Sequence, residues 1–164
     1  MKFEDRKYIL NALAKNAKTT AADLAEQLGA TEQEVAAEIT DLEEKNIIHG
    51  YHAIINEDNL HEKPVKAIIE VRVRPEREGG FDRIARRLSK FPQVTALYLM
   101  SGGYDLMLEV RGADLNEVAS FVSSKLATID GVLSTSTHFL LKKYKEAGKL
   151  MQEEDDHERL QITP

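Results

Sequence analysis

Apolar residues in the first third of the chain recur every three or four positions, which is the period of an amphipathic helix. Residues 5–16 carry one such stripe, and two more follow before residue 45. The second and third stripes consist of Leu24, Ala25 and Leu28, and of Val35, Ile39 and Leu42. The pattern therefore predicts three successive helices at the N-terminus.

Helix starts and one helix stop can be placed between these stripes. Thr20 with Asp23, and Thr31 with Glu34, have the spacing of capping boxes, so each threonine marks the start of a helix. Gly29 lies where the second helix must end, because glycine adopts the left-handed conformation that closes helices. Two short helices joined by so tight a turn predict a helix-turn-helix, with a plain antiparallel helix pair as the alternative.

From residue 65 onwards the pattern changes to the alternation of half-buried strands. The predicted order is a strand at 65–73, a helix at 81–91, strands at 94–101 and 104–111, a helix starting at Asp114, and a strand at 132–142. The Gly102-Gly103 pair predicts a two-residue turn between the middle strands. This order predicts an α+β fold, a ferredoxin-like βαββαβ domain with both helices on one sheet face.

The change of pattern divides the chain into four expected segments. They are a winged helix-turn-helix domain at 1–56, a polar linker at 57–64, the ferredoxin-like domain at 65–144 and an acidic C-terminal tail at 145–164. Residues 47–55 are expected to form a short hairpin or an extended connector in the place of the wing. The tail is expected to be a frayed helix or a disordered segment.

The composition narrows the chemistry that the chain can perform. It has 164 residues, a formal net charge of −6 and no cysteine, which excludes disulfides, thiolate nucleophiles and cysteine-ligated metals. No apolar run approaches the roughly 20 residues that span a bilayer, so we expect a cytoplasmic protein without a membrane contact. No histidine pair has suitable metal-ligand spacing, and no phosphate loop or nucleophile elbow is present. We therefore expect no catalytic residue, metal or cofactor.

Three segments in this order are similar to one family of regulators. They are LEEKNIIHGYHAIIN at 42–56, VTALYLMSGGYDLMLEV at 94–110 and STSTHFLLKKYK at 134–145. With the helix-turn-helix before them, they resemble the Lrp/AsnC (feast/famine) family of transcription regulators. The resemblance implies a DNA-binding protein whose second domain, of the RAM type, pairs sheets across subunits and binds a small effector, often an amino acid. It also implies homodimers that often assemble into octamers.

The resemblance implies that the third helix reads double-stranded DNA. The expected DNA-binding residues are Lys18, Thr20, Thr31, Gln33, Ala37, Thr40 and Lys45. One departure concerns charge, because residues 31–45 contain six acids and a single base, and acids that face phosphates would repel them. Phosphate contacts are therefore expected from helix N-termini and from basic residues, namely Lys2, Arg6, Lys7, Lys15, Lys18 and Lys45.

The resemblance also indicates an effector site and an assembly surface in the second domain. The expected effector-binding residues are Ser101, Gly102, Gly103, Tyr104 and Asp105, together with Ser134, Thr135 and Ser136. Glycines let backbone N–H groups approach a ligand carboxylate, and Asp105 is expected to pair with an ammonium group. Leu97, Leu99 and Met107 are expected on the open sheet face, where a second copy would cover them.

Two alternatives stay open at this point. Sirohaem decarboxylases resemble this family in both domains, so an enzyme on the same scaffold is one alternative. The other is an assembly protein whose degenerate helix-turn-helix no longer binds DNA, which the acidic third helix favours. Retention of its own promoter DNA would favour the regulator, whereas coloured, haem-binding protein would favour the enzyme.

Overall fold

The apolar stripes of the N-terminal third become helices in the structure, a computed structural model that describes residues 2–75 and 80–151. They are α1 (Phe3–Lys15), α2 (Ala21–Leu28) and α3 (Glu32–Glu44). Their inward faces form a small core of Ile9, Leu13, Leu24, Ala25, Val35 and Leu42. Burying each of the five larger aliphatic side chains contributes roughly 1.5–3 kcal/mol, and this burial is the main apolar contribution that holds the three helices together.

Both predicted helix starts and the predicted stop are confirmed. The Thr31 hydroxyl accepts a hydrogen bond from the Glu34 N–H at 3.3 Å, while the Glu34 carboxylate accepts one from the Thr31 N–H at 2.9 Å. Thr20 and Asp23 make the same reciprocal pair at the start of α2. Gly29 has φ +63°, the left-handed conformation that turns the chain sharply from α2 into α3.

The connection that follows α3 contains no strand. Residues 46–56 run as an irregular connector, and the hairpin that could have formed a wing at 47–55 is absent from this described stretch. The segment expected to be a linker begins with a single 3-10 turn at Glu57–Asn59. Asn56 stands at the head of that turn, where its side chain accepts a hydrogen bond from the Asp58 N–H.

The second unit has the predicted βαββαβ order. Its elements are β1 (Val65–Val73), α4 (Asp82–Leu88), β2 (Val94–Leu99), β3 (Leu106–Gly112), α5 (Leu115–Phe121) with a π-helical turn (Val122–Leu126), and β4 (Val132–Phe139). The sheet order is β2-β3-β1-β4, and every neighbouring pair is antiparallel. This is the ferredoxin-like arrangement, so the predicted fold is confirmed.

One face of the sheet forms the core together with both helices. Alternate residues of β1 and β3 are buried, and they pack against Ile84 and Leu88 of α4 and against Val118 and Phe121 of α5. The buried strand residues are Ala67, Ile69, Val71, Val73, Leu106, Leu108 and Val110. The opposite face of the sheet is left open, and its side chains are those between the buried positions.

The turn between β2 and β3 is longer than predicted. Leu99 and Leu106 are the last paired residues, so six residues connect the strands where two were expected. Only Gly102 has a positive φ, of +139°, whereas a type I′ turn requires positive φ at two successive residues. The Met100 N–H donates to the Asp105 carbonyl at 2.8 Å and closes the loop.

A β-bulge in β2 reverses the predicted faces of that strand. Val94 pairs with Val110 and Ala96 with Glu109, so the extra residue Thr95 shifts the alternation by one. Opposite residues of an antiparallel pair share a face. Leu97 pairs with Leu108 and packs on the core, and Leu99 pairs with Leu106. The predicted placement of Leu97 and Leu99 on the open face is therefore wrong, whereas Met107 does lie there.

A short hairpin follows the second unit along the chain. It consists of β5 (Lys145–Glu146) and β6 (Lys149–Leu150), and by its contacts it groups with the N-terminal helices. Ala147 and Gly148, at φ +43° and +81°, supply the tight turn between them. The expectation of a frayed helix or disordered tail is wrong for residues 145–150, and residues 152–164 lie outside the described part of the chain.

The capping box at Thr31 leads to a prediction about stability. Replacing Thr31 by alanine removes the hydroxyl that accepts from the Glu34 N–H, and we expect the free energy of unfolding to fall by about 1 kcal/mol. Thr31→Ser keeps the hydroxyl and serves as the matched control. Urea denaturation of the full chain, followed by helical circular dichroism, measures both variants. Equal midpoints for the two would contradict the cap.

Candidate functional site

One exposed stripe of α3 carries no charge. Gln33, Ala36, Ala37 and Thr40 have the spacing i, i+3, i+4 and i+7, so they lie on one stripe, and all four are exposed. The Thr40 hydroxyl donates to the Ala36 carbonyl at 3.0 Å, which leaves its methyl group and an oxygen lone pair for an outside partner. Three of the residues expected to contact DNA, Gln33, Ala37 and Thr40, are thus brought together.

Two of the acids in the second half of α3, Glu38 and Asp41, turn towards α1. Glu38 is only 7% exposed, and its Oε1 lies 2.5 Å from Nε of Arg6. Nη2 of Arg6 also reaches Oδ2 of Asp41 at 3.5 Å, and Nζ of Lys45 contacts the same oxygen at 2.6 Å. The hydrogen bond from Lys45, with the charge of nearby Arg6, holds the pKa of the Asp41 carboxyl below its ordinary value. The Asp41 carboxylate therefore stays ionised within this network.

Two further acids of α3 also have partners within the protein. The Glu34 carboxylate belongs to the capping box, where the backbone N–H and hydroxyl of Thr31 hold its pKa below the ordinary value. Oε1 of Glu43 accepts a hydrogen bond from the Tyr51 hydroxyl at 2.7 Å, and this bond raises the pKa of Tyr51. Four of the six acids therefore have partners within the protein, and two of them, Glu38 and Asp41, lie next to cations that offset their charge.

The same contacts change which groups are available to phosphates. Arg6 contacts the buried Glu38, so this expected phosphate-binding cation serves inside the protein, whereas Lys45 pairs with Asp41 at the surface. The Asp23 and Glu34 carboxylates already accept the N–H groups at the starts of α2 and α3, including those of Thr20 and Thr31. The exposed cations on the three helices and their connections are Lys2, Lys7, Lys15, Lys18 and Lys45, of which Lys45 pairs with Asp41.

A pocket of about 320 Å³ lies at the open end of the second unit, between the β2–β3 loop and the first half of β4. We call it the effector pocket after the residues predicted to bind an effector, and its lining residues are Glu70, Arg72, Gly103, Tyr104, Ser134, Thr135 and Ser136. Five of the eight predicted effector residues line it. Ser101, Gly102 and Asp105 do not.

Sequence reasoning missed the two charged residues of this pocket. Glu70 pairs with Ser136 and Arg72 with Ser134 across the β1–β4 ladder, which places both on the open face beside the predicted serines. The signal was present, because the predicted topology puts β1 next to β4 and the alternation of β1 places Glu70 and Arg72 outside the core. Oε1 of Glu70 lies 3.5 Å from Nε2 of His138, and that nitrogen lies 3.3 Å from Oγ of Ser136.

Asp105 has a different position from the one expected. Its carboxylate accepts a hydrogen bond from the Val73 N–H at 2.8 Å, and its own N–H donates to the Val71 carbonyl at 3.1 Å. Asp105 therefore continues the β1–β3 pairing beyond the last paired residues. The carboxylate that lines the pocket is that of Glu70.

Metal-ligand groupings and membrane-spanning helices were also sought among the described residues. Within residues 2–75 and 80–151, no three histidine, aspartate or glutamate side chains are grouped so that they could hold a metal ion. Across the same ranges, no helix is long and apolar enough to cross a membrane.

Comparisons with known proteins match both units. A family model described as the Lrp/AsnC ligand binding domain matches residues 66–150, and one described as winged helix-turn-helix DNA-binding matches residues 6–49. The uncharacterized HTH-type transcriptional regulator YugG of Bacillus subtilis is 42% identical over 158 residues, which is 95% of each chain. The HTH-type transcriptional regulator LrpA of Pyrococcus horikoshii is 36% identical over 87% of this chain and 98% of its own.

The fold also matches solved structures. A transcriptional regulator from Neisseria meningitidis, solved as a complex with L-methionine, superposes with a TM-score of 0.68. It is 25% identical, and the match covers 89% of this chain and 93% of that one.

Proposed function

Because the chain belongs to the Lrp/AsnC family of DNA-binding transcription regulators, we propose that an α-amino acid in the effector pocket controls its binding to DNA. The pocket supports this proposal because it offers one carboxylate and one guanidinium. Arg72 is suited to the ligand carboxylate and Glu70 to the ligand ammonium, so the two together fit a zwitterion. The Neisseria relative solved with L-methionine makes that amino acid the first ligand to test.

The size and polarity of the pocket agree with such a ligand. Its volume of about 320 Å³ lies at the small end of ligand pockets, which run from roughly 300 to 1,000 Å³. Ser134 and Ser136 lie on the open face next to Arg72 and Glu70 and offer hydroxyls to either end of a zwitterion. Tyr104 adds an aromatic wall whose hydroxyl lies 3.9 Å from Sδ of Met107.

DNA reading is proposed for the uncharged stripe of α3. Recognition helices of helix-turn-helix proteins contact base edges with their N-terminal residues. Gln33 can make two hydrogen bonds to adenine, and the methyl groups of Ala37 and Thr40 suit the methyl group of thymine. Exposed lysines on α1 and in the following turn would contact the backbone phosphates.

We propose that the protein assembles into oligomers because one DNA-reading unit carries few exposed positive charges. A few exposed lysines neutralise few phosphates, whereas several units on one particle add their weak contacts by avidity. We propose a homodimer in which a second copy covers the open sheet face, around Ile68, Tyr98 and Met107, and larger assemblies such as an octamer built from it. Tyr98 is 47% exposed on that face although it is a large aromatic residue.

The contacts of α3 favour this regulator over a degenerate helix-turn-helix, and the relatives favour it over an enzyme. A degenerate helix-turn-helix was suggested by the acids of α3, but Glu38 and Asp41 face Arg6 rather than the exposed stripe. The relatives of this chain are transcription regulators, so we propose a role in the cytoplasm without catalysis.

Ligand binding provides the test of the effector pocket. We expect Arg72→Met and Glu70→Gln each to weaken binding of L-methionine, or of the best ligand from a panel of amino acids, by roughly ten- to a hundredfold. The reason is the loss of one charge-assisted hydrogen bond in each variant. Calorimetry on the full chain measures this, with Lys125→Met on the opposite, helical side as the control.

A variant of Asp105 shows which carboxylate, that of Glu70 or that of Asp105, pairs with the ligand ammonium. Asp105→Asn keeps an oxygen that can accept from the Val73 N–H while removing the charge, so we expect ligand affinity to stay within about threefold of wild type, less than one hydrogen bond is worth. A tenfold loss in Asp105→Asn with no change in Glu70→Gln would assign the counter-charge to Asp105. No binding by any amino acid would contradict the effector proposal.

Substitutions that introduce a carboxylate on the open face of the sheet or on its helical side test the proposed assembly surface. Tyr98→Asp puts a carboxylate on the open face, and we expect sedimentation velocity at micromolar concentration to show a smaller species than wild type. Ser120→Asp, on the outer face of α5, should leave the assembly unchanged. Leu97→Asp should lower thermal stability instead, because Leu97 packs on the core. A wild-type monomer, or a Tyr98→Asp variant that assembles normally, would contradict the proposed surface.

A further inference from the structure

The second unit has another pocket, at the end of the sheet where β1 begins and β4 ends. Its volume is about 320 Å³, and it lies at the opposite end of the β1–β4 pair from the effector pocket. We call it the lysine pocket, and its charged lining residues are Lys63, Lys66, Lys142, Lys143, Glu57 and Asp58. Four cations and two carboxylates leave an excess of positive charge, although the whole chain has a formal net charge of −6. The pocket therefore suits an acidic partner.

The contacts inside the lysine pocket do not balance its cations. Nζ of Lys66 lies 2.8 Å from Oε2 of Glu57, and Nζ of Lys143 lies 3.8 Å from the same oxygen, so one carboxylate serves two lysines. Burial raises the pKa of Glu57, but the hydrogen bond and charge of Lys66, with the charge of Lys143, outweigh burial and leave this pKa below its ordinary value. Lys142 has no carboxylate partner among the described residues, and its Nζ lies 5.0 Å from the centre of the Tyr144 ring.

Apolar side chains form the rest of the lining and remain exposed. Leu141 is 95% exposed, Leu115 is 55% exposed and Leu140 is 45% exposed. Phe139, the last residue of β4, adds an aromatic group to the same wall. Apolar side chains gathered beside charges are typical of a binding surface. A partner that fits this pocket therefore carries an apolar group close to its acids.

The chain itself is held in this pocket at Met151. Met151 lines the pocket and is buried. Its carbonyl accepts a hydrogen bond from Nδ2 of Asn56 at 2.7 Å, and its N–H donates to the Tyr144 carbonyl at 2.9 Å. Whatever follows Met151 along the chain therefore starts inside the lysine pocket.

The sequence after Met151 has the composition that the pocket requires. It reads QEEDDHERLQITP, with five acids and one arginine, and four of the acids are consecutive at 153–156. Two apolar residues, Leu160 and Ile162, come shortly afterwards. An extended chain advances at most about 3.6 Å per residue, so the first acid, Glu153, cannot be farther than roughly 7 Å from Met151.

We propose that residues 153–160 dock in the lysine pocket of their own chain, with the acidic run against Lys63 and Lys142 and with Leu160 on the exposed leucines. Single ion pairs at a surface are weak. The anchor at Met151 compensates for this, because a short tether keeps the acids at an effective concentration on the order of millimolar whatever the protein concentration. The docked segment shields the pocket lysines from other anions, including the phosphates of DNA.

Carbodiimide cross-linking of the full chain tests the contact, because it joins a carboxylate to a lysine amine only where the two groups touch. We expect mass spectrometry to find amide links between the acids of 153–158 and Lys63 or Lys142, and none to Lys125 on the helical side. Salt at about 1 M shortens the Debye length to roughly 3 Å and should remove most of these links. A mixture of isotope-labelled and unlabelled protein, exchanged in urea, identifies the chain, because links within one chain never combine the two labels.

A neutralised tail measures how far the segment covers the lysines. The variant replaces the four consecutive acids by their amides and keeps the length of the chain: Glu153→Gln/Glu154→Gln/Asp155→Asn/Asp156→Asn. We expect Lys63 and Lys142 to react with an acetylating ester about threefold faster in this variant, which corresponds to a segment that is docked about two thirds of the time in wild type. Lys125 should react equally in both proteins. The control variant Asp82→Asn/Asp130→Asn neutralises two exposed acids outside the pocket and should leave all three rates unchanged.

Three results would overturn the proposal. Cross-links that combine the two isotope labels would place the segment on another copy of the chain. Equal acetylation rates in wild type and in the neutralised-tail variant would show that the segment does not cover the lysines. If a non-specific duplex also slows acetylation of Lys63 and Lys142 to the same extent in both proteins, the lysine pocket is a phosphate contact for DNA instead.

Discussion

The contact between Arg6 and Glu38 is the interaction on which the N-terminal unit depends. Apolar burial holds α1, α2 and α3 together, but apolar contacts are non-directional and tolerate small rotations. The ion pair between Arg6 and the buried Glu38 adds a contact between two specific side chains, and it joins the first helix to the third across the turn at Gly29. Glu38 and Asp41 lie on the side of α3 that faces Arg6, whereas the stripe of Gln33, Ala36, Ala37 and Thr40 carries no charge.

The second unit depends on a different constraint, the single extra residue at Thr95. Because side chains alternate strictly along a strand, one bulged residue moves Leu97 and Leu99 to the core side and puts Tyr98 and Ala96 on the open face. The open face then carries few large apolar groups next to many polar ones, among them Glu70, Arg72 and His138. Such a mixed surface can serve both a second copy of the chain and a charged ligand. The effector pocket lies at the end of this face where the loop after β2 approaches β4.

Periodicity and capping residues predicted most of the fold, because both are local properties. The threonine boxes, Gly29 and the βαββαβ order could be read from spacing alone, and the structure confirms them. The predictions were wrong where a contact between residues far apart in the sequence determines the structure. A bulge is set by how β2 meets β3, and the partner of Glu38 lies 32 positions earlier in the chain. Five of the predicted effector residues line one pocket, whereas Glu70 and Arg72 required the β1–β4 register, which joins strands more than 60 residues apart.

The base preference of α3 tests this account most directly. Duplexes selected from a randomised pool by wild-type protein and by Gln33→Arg should be sequenced and compared. Glutamine pairs with adenine and arginine with guanine in the major groove. If Gln33 lies on the DNA-reading face, the variant should gain guanine at one position in each half-site where wild type prefers adenine, and its other preferences should persist. Identical base preferences for the two proteins would show that the exposed stripe of α3 does not read DNA.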